Sequence, residues 1–264
     1  MAETTRRDSG NSGGPAASAA RDVLRICGLA AVRARFARDA GSIQRLYFDD
    51  PTGRKIGVMC KALAAARKIY RCVEPAELEK IAGTPHHGGV VAVVAPRALS
   101  EPSAADLKAW AGRREPVLVL DRVGNVHNLG AVARTAAFLG AGRLVLCGGA
   151  GSARPVDAAY RVAEGGLEAV ELHAAPGAAA FVRGLVAAGY DVVGAATRGG
   201  RPDVGRAAGR PVALVMGNEE QGLDPAVAAA CTRLVTIPGS GRVESLNVSV
   251  AAAILMWETW ARRG

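Results

Sequence analysis

The sequence predicts an α/β protein in two parts, a small α/β unit followed by a larger one built on a mostly parallel sheet. Three observations carry that expectation. Strand-like and helix-like segments alternate along the chain, the pattern of parallel strands joined by crossover helices. VLVLD at 117–121 is apolar up to its last residue, as a strand buried in a parallel sheet must be. Between two tightly patterned regions lies RALSEPSAADLKAWAGRREP (97–116), polar and proline-bearing, which reads as a linker.

The elements follow in order. Residues 1–20 are Gly, Ser, Ala and charge, too polar to bury a core, and read as a disordered tail. In the first unit, 21–97, VLRICGLAAVRARFAR (23–38) reads as a helix with arginines along one side. IQRLYF (43–48) alternates as a strand does; IGVMCKALAAARK (56–68) is helical; IYRCV (69–73) is a strand. PAELEKIAG (75–83) is a short helix stopped by Gly83, and GVVAVVAP (89–96) a strand bounded by Gly and Pro. The linker, 98–115, has a short helical pattern at 103–112. The second unit, 116–264, opens with VLVLD and continues with LGAVARTAAFLG (helix), RLVLC (strand) and GAAAFVRGLVAAG (helix). YDVVGAAT and VALVMG (strands), DPAVAAAC (helix), RLVTIP (strand) and an apolar final helix complete it.

Composition narrows the function. Half of the 264 residues are hydrophobic, and the net charge is +9 with a pI near 9.8. That excess suits a polyanionic partner such as nucleic acid or an anionic membrane surface; a solvated arginine surface is the other account of it. Arg67, Lys68, Arg71, Arg113, Arg114 and Arg242 are the candidates for the face toward such a partner, an RNA face if that partner is RNA. Of the five cysteines, no two stand at a metal-ligand spacing, and with four histidines a zinc site is not expected. The cysteines read as buried free thiols in a reducing compartment. No apolar run approaches the roughly 18 residues that span a bilayer. The N-terminal stretch has no hydrophobic signal region, and Glu3, Asp8 and Asp22 are out of place in a transit peptide. The expected location is the cytoplasm.

Ligands of parallel α/β sheets bind at the carboxyl ends of strands, so the loop after each strand matters most. In DRVGNVHNLGAVARTAAFLG (121–140), Asn128 reads as a helix cap, Gly130 allows close approach, and Arg134 breaks an apolar surface. In VMGNEEQGLDP (215–225), Glu219 and Glu220 follow the strand that ends at Gly217. In IPGSGRVESLNVSVAAAIL (237–255), a glycine loop leads to Ser245, which reads as the start of the last helix. Each loop alone also fits a structural account: a capping asparagine, a snorkelling arginine, a polar turn. On the last helix Leu246, Val250, Ala253 and Trp257 form one apolar stripe and Val248, Ala251, Ala252 and Leu255 another. A helix apolar on both sides is buried on both sides; one side suits its own sheet and the other a second subunit. The glycine-rich LCGGAGSARP (146–155) lacks the GxGxxG spacing of a dinucleotide loop.

Taken in order, NLGAVAR, MGNEEQGL and IPGSGRVESLNVSVAAAIL resemble the three motifs of the SpoU/TrmH branch of the SPOUT RNA methyltransferases. The first unit, ending in HHGGVVAVV, is similar to the SpoU substrate-binding domain of ribosomal-protein-like fold, with His86-His87-Gly88-Gly89 where His-Gln-Gly is usual. The resemblance implies a SPOUT catalytic domain with a C-terminal trefoil knot, an S-adenosylmethionine cofactor, a homodimer with its active site at the interface, and transfer of methyl to a ribose 2′-hydroxyl in rRNA or tRNA. It implies catalytic roles for Arg134, Asn128, Glu219, Ser245 and Asn247, and cofactor contacts from Gly217, Ile237, Leu246 and Asn247. In that reading Ser245 caps the last helix and Asn247 orders the site. Arg134 orients the ribose and stabilises the developing alkoxide, since a guanidinium is a poor proton acceptor; another group, water or an RNA phosphate takes the proton. No metal is needed. RVAEGGLEAV (161–170) departs from the Ser-x-Gly-Ala of many ribosomal members and leaves the RNA open. A non-catalytic RNA-binding or ribosome-assembly protein that keeps the fold is the alternative, and a base methyltransferase a third reading.

Overall fold

The computed structural model describes residues 23–149, 152–202 and 209–261; the tail expected at 1–20 lies outside them. The first unit begins with a strand. β1 (Leu24–Cys27) runs into Gly28, at φ 92°, and only then does helix α1 (Leu29–Asp39) start. The single helix expected over 23–38 is therefore two elements. Leu24 and Ile26 point into the core while Arg25 stays exposed, a period of two that the arginine spacing disguised. Only glycine takes the φ of residue 28 without a Cβ penalty.

A 3₁₀ turn leads to β2 (Ile43–Phe48), then α2 (Asp50–Gly53), α3 (Gly57–Ala65) and β3 (Ile69–Cys72). Helix α4 (Pro75–Ala82) ends at left-handed Gly83, and β4 (Val90–Val94) closes the unit. The sheet order is β1-β4-β2-β3, with β4 antiparallel to both neighbours and β2 parallel to β3. Val91 packs with Leu78 and Ala82 of α4, while Val90, Ala92 and Val94 face the opposite layer.

The stretch expected as a linker holds α5 (Ala104–Gly112). Ser103 and Asp106 form a capping box, and Leu107 and Trp110 enter the core of the second unit. That unit runs β5 (Val117–Asp121), α6 (Val126–Phe138), β6 (Arg143–Cys147), α7 (Asp157–Ala163), α8 (Gly166–Ala169) and β7 (Glu171–Ala175). It continues with α9 (Ala178–Ala187), β8 (Asp191–Ala195), β9 (Val212–Met216), α10 (Pro225–Ala230), β10 (Arg233–Val235) and α11 (Val248–Met256), with a π-helical turn at Trp257–Ala261. The sequence reading missed α7, α8 and β7. The six strands are parallel in the order β10-β8-β9-β5-β6-β7. Val117 and Val119 face the layer of α5 and α9; Leu118 and Leu120 face that of α6, α7 and α11.

The two units share that second layer. One apolar core contains Leu24 and Ile26 of β1, Val32 of α1, and Leu120 and Leu129 of the second unit. A buried ion pair lies in the seam: Arg35 Nε stands 2.9 Å from Glu168 Oε1, each side chain 1% exposed. Arg97 donates to the carbonyl of Leu167 at 2.7 Å, and Arg38 to that of Glu168 at 2.8 Å and to the Glu171 carboxylate at 2.7 Å. All five cysteines are free; Cys27 and Cys147 are buried as expected, but Cys72 on the edge strand β3 is exposed. Among the described residues no helix is long and apolar enough to cross a membrane.

Candidate active site

β5 and β9 are neighbours at the middle of the large sheet, where the strand order reverses, the position at which open α/β sheets hold ligands. The loop after β5 is capped by Asn125, whose side chain accepts from the His127 N–H at 2.8 Å. Asn128 is therefore not the cap. It lies buried in the first turn of α6, with its amide free to bridge: Nδ2 donates to Glu219 Oε1 at 2.9 Å, and Oδ1 accepts from Asn247 Nδ2 at 3.1 Å. One hydrogen-bonded chain, Asn247–Asn128–Glu219, thus ties together the loops after β10, β5 and β9. Glu219 also accepts from the backbone N–H groups of Gly124 and Asn125 at 3.3 and 3.4 Å. Burial pushes the Glu219 carboxyl up, but the bonds from Asn128 and the backbone outweigh it and hold it below the ordinary value.

Asn247 caps α11, accepting from Ser249 N at 2.8 Å and Ser249 Oγ at 2.6 Å. Ser245, expected as that cap, is exposed two residues earlier, on the wall of a cavity. The cavity measures about 760 Å³ and lies beyond the carboxyl ends of β8, β9 and β10, within the range of small-molecule sites. Gly217, Glu219, Ile237, Ser245, Leu246 and Asn247 line it. A Cβ on Gly217 would run into the backbone of Gly222 and Leu223, so the strand exit must stay bare main chain. Walls of main chain, apolar side chains at Ile237 and Leu246, and a polar end at Glu219 and Asn247 fit a nucleoside with a charged tail.

Arg134 is not at this cavity wall. Six residues beyond Asn128, it lies about 9 Å further along α6 and roughly 240° around it. Its guanidinium pairs with Glu164 at 3.0 Å, the two side chains 57% and 55% exposed. Sequence reasoning also missed Arg122. At φ 54° it donates to Gln221 Oε1 at 2.9 Å and to the Gly222 carbonyl at 3.3 Å, while its own carbonyl accepts from Asn218 Nδ2 at 2.9 Å. It staples the Glu219 loop to the end of β5; its signal was a charged pair, Asp121-Arg122, at the exit of a buried strand. Of the arginines and lysine proposed for an RNA face, Arg67, Lys68 and Arg71 gather at β3, the edge of the small sheet. Arg113 and Arg114 precede β5 and so sit at the opposite end of the large sheet from the cavity. Arg242 is exposed in the loop before α11.

By its likeness to known proteins the chain is an S-adenosylmethionine-dependent RNA 2′-O-ribose methyltransferase. Residues 115–257 match the SpoU rRNA Methylase family, and residues 25–99 match the family described as RNA 2′-O ribose methyltransferase substrate binding. The chain belongs to the SpoU rRNA methylase family, whose fold carries a C-terminal trefoil knot and whose cofactor is S-adenosylmethionine. It is 36% identical to the 23S rRNA (guanosine-2′-O-)-methyltransferase RlmB of Ralstonia nicotianae, over 90% of this chain and 95% of that protein. It is 33% identical to the uncharacterised tRNA/rRNA methyltransferase YfiF of Escherichia coli O157:H7, over 89% of this chain and 67% of that protein. The crystal structure of an AdoMet-bound rRNA methyltransferase from Sinorhizobium meliloti superposes with a TM-score of 0.73 at 27% identity, covering 89% of this chain and 86% of that one.

Proposed function

We propose that the enzyme methylates a ribose 2′-hydroxyl of ribosomal RNA, held by the first unit (21–97) and presented to the cavity of the second. The observation that carries the assignment of the site is the Asn247–Asn128–Glu219 chain at the polar end of the cavity. Ribosomal RNA is favoured over tRNA by the likeness to RlmB along nearly the whole length of both proteins. Five free cysteines fit a reducing cytoplasm.

When bound, S-adenosylmethionine supplies a sulfonium methyl group as the electrophile. The backbones of Gly217, Ile237 and Leu246 would hold it, Leu246 toward its adenine end. Asn128 and Glu219 fix the loops and offer hydrogen bonds near the ribose, and Ser245 and Asn247 order the near wall. Arg134 orients the ribose and neutralises the oxygen as it attacks. Because Arg134 stands away from its own cavity, it serves the cavity of a second copy. The dimer forms through the outer face of α11 and its two flanks, where Val250 in the helix is 48% exposed and Leu246 before it and Trp257 after it are 45% and 52% exposed. The inner stripe, with Val248, Ala252 and Leu255 buried, packs on its own unit.

The test is incubation with methyl-labelled S-adenosylmethionine and rRNA or tRNA from a strain lacking the gene, followed by digestion to nucleosides. Label in a 2′-O-methyl nucleoside of rRNA is expected. Arg134→Ala is expected to lower kcat by about 10²–10³ with cofactor binding intact; undiminished turnover would refute the role. Val250→Asp should yield a monomer in sedimentation, and a variant that stays dimeric would remove α11 from the interface.

A further inference from the structure

The segment Glu164-Gly165-Gly166 joins the substrate-holding unit to Arg134, and the preceding mechanism does not use it. Glu164 sits in the left-handed region, φ 45° and ψ 41°, which L-residues with a Cβ avoid. Its carboxylate makes the 3.0 Å pair with Arg134. An ion pair this exposed adds little to stability, so the pair does not repay a strained backbone by holding the fold together.

The two glycines are what let the segment pack this closely. A Cβ on Gly165 would come within 3.0 Å of Ala34 Cβ on α1, in the first unit. A Cβ on Gly166 would come within 2.6 Å of the Arg134 Cα itself. The turn is wedged between the helix of the substrate-holding unit and the backbone that bears Arg134. The backbone that carries the Glu164 carboxylate is therefore placed relative to both.

Resting on the reading that Arg134 acts on the ribose, we infer that Glu164 is the positioning residue for Arg134. It engages Nη2 of a guanidinium that carries five N–H donors. The long side chain is held in one orientation, and Nε and Nη1 remain for the ribose oxygen or the adjoining phosphate. Because α1 backs the turn, seating of the first unit and aim of the guanidinium are set by the same contact.

Two variants separate aim from architecture. Glu164→Gln keeps the shape and removes the charge. Glu164→Gly removes the carboxylate and suits the left-handed backbone better than glutamate does. Both are expected to bind S-adenosylmethionine and RNA as the parent does, with KM for RNA unchanged and kcat lower by about 10- to 100-fold, the scale of a misplaced catalytic group. Glu164→Gly should melt at the parent temperature or above it, so its lost turnover is not lost folding. In an Arg134→Lys background, Glu164→Gln should cost no further activity, since contacting groups that act as one are not additive. Parent-like or faster turnover in either Glu164 variant would overturn the inference. If Arg134→Ala keeps full turnover, the underlying reading fails; if it loses turnover while both Glu164 variants keep theirs, only this inference fails.

Discussion

The seam between the two units and the cavity before the last helix both depend on polar side chains, and they use them in opposite ways. At the seam the groups are charged and buried: Arg35 against Glu168, each side chain 1% exposed, with Arg97 and Arg38 on nearby carbonyls. At the cavity they are mostly neutral amides and main chain, and Ser245, Leu246 and Asn247 remain exposed. A buried ion pair fixes one arrangement. A half-open amide chain keeps donors and acceptors to offer a ligand.

The comparison breaks most sharply at the seam. Glu168→Ala strands a buried guanidinium and should destabilise the protein by about 3–5 kcal/mol, read as a fall in the urea midpoint. Replacing Arg35 and Glu168 together by leucine should recover much of that loss, because an apolar pair leaves no buried charge. At the cavity, Asn128→Ala leaves Glu219 and Asn247 each one partner short. Its expected cost is about 1–3 kcal/mol, with the cofactor Kd rising in isothermal titration; an unchanged Kd would remove the amide chain from the site. Gly217→Ala should lower the melting temperature as well as weaken cofactor binding by about tenfold or more, about 1.4 kcal/mol, since its Cβ would strike the backbone of Gly222 and Leu223 in the cavity wall. The smallest effect is with pH. The folded Glu219 carboxyl lies below its ordinary value of 4.5, so its contribution to stability is complete above about that pH. It is lost as pH falls through the depressed value. Glu219→Gln should flatten that acid limb of the stability profile, and a limb of the same steepness would assign it to other carboxylates.

Much of this was legible in the sequence because strand exits advertise themselves. VLVLD and VALVM are runs that only a two-sided burial explains, and the residues just after them are the amides, acids and glycines of the site. Positions within a turn were harder. Asn125 and Asn128 are both good caps three residues apart, and Ser245 and Asn247 only two apart; the structure uses Asn125 and Asn247 as caps. β1 was hidden because four residues give too little period and the arginines after it are spaced as on a helix. α7, α8 and β7 were hidden because they are only seven, four and five residues long, too short to show a period, with Gly165-Gly166 interrupting the helical signal. The helix within the segment taken for a linker was legible at 103–112; that Leu107 and Trp110 seat it in the core of the second unit is what composition does not reveal. The pairing of Arg134 with Glu164, thirty residues on, was beyond any local pattern.

The shared core has a consequence for target choice. Leu24 and Ile26 belong to the same cluster as Leu120 and Leu129, and the Arg35–Glu168 pair locks the same surface. Such a molecule has no elbow. The span from the basic edge at β3 to the cavity is then set by packing and not by a linker. An enzyme that gripped RNA by that edge would work as a caliper, refusing a target whose gripped feature and reactive ribose stood at another spacing.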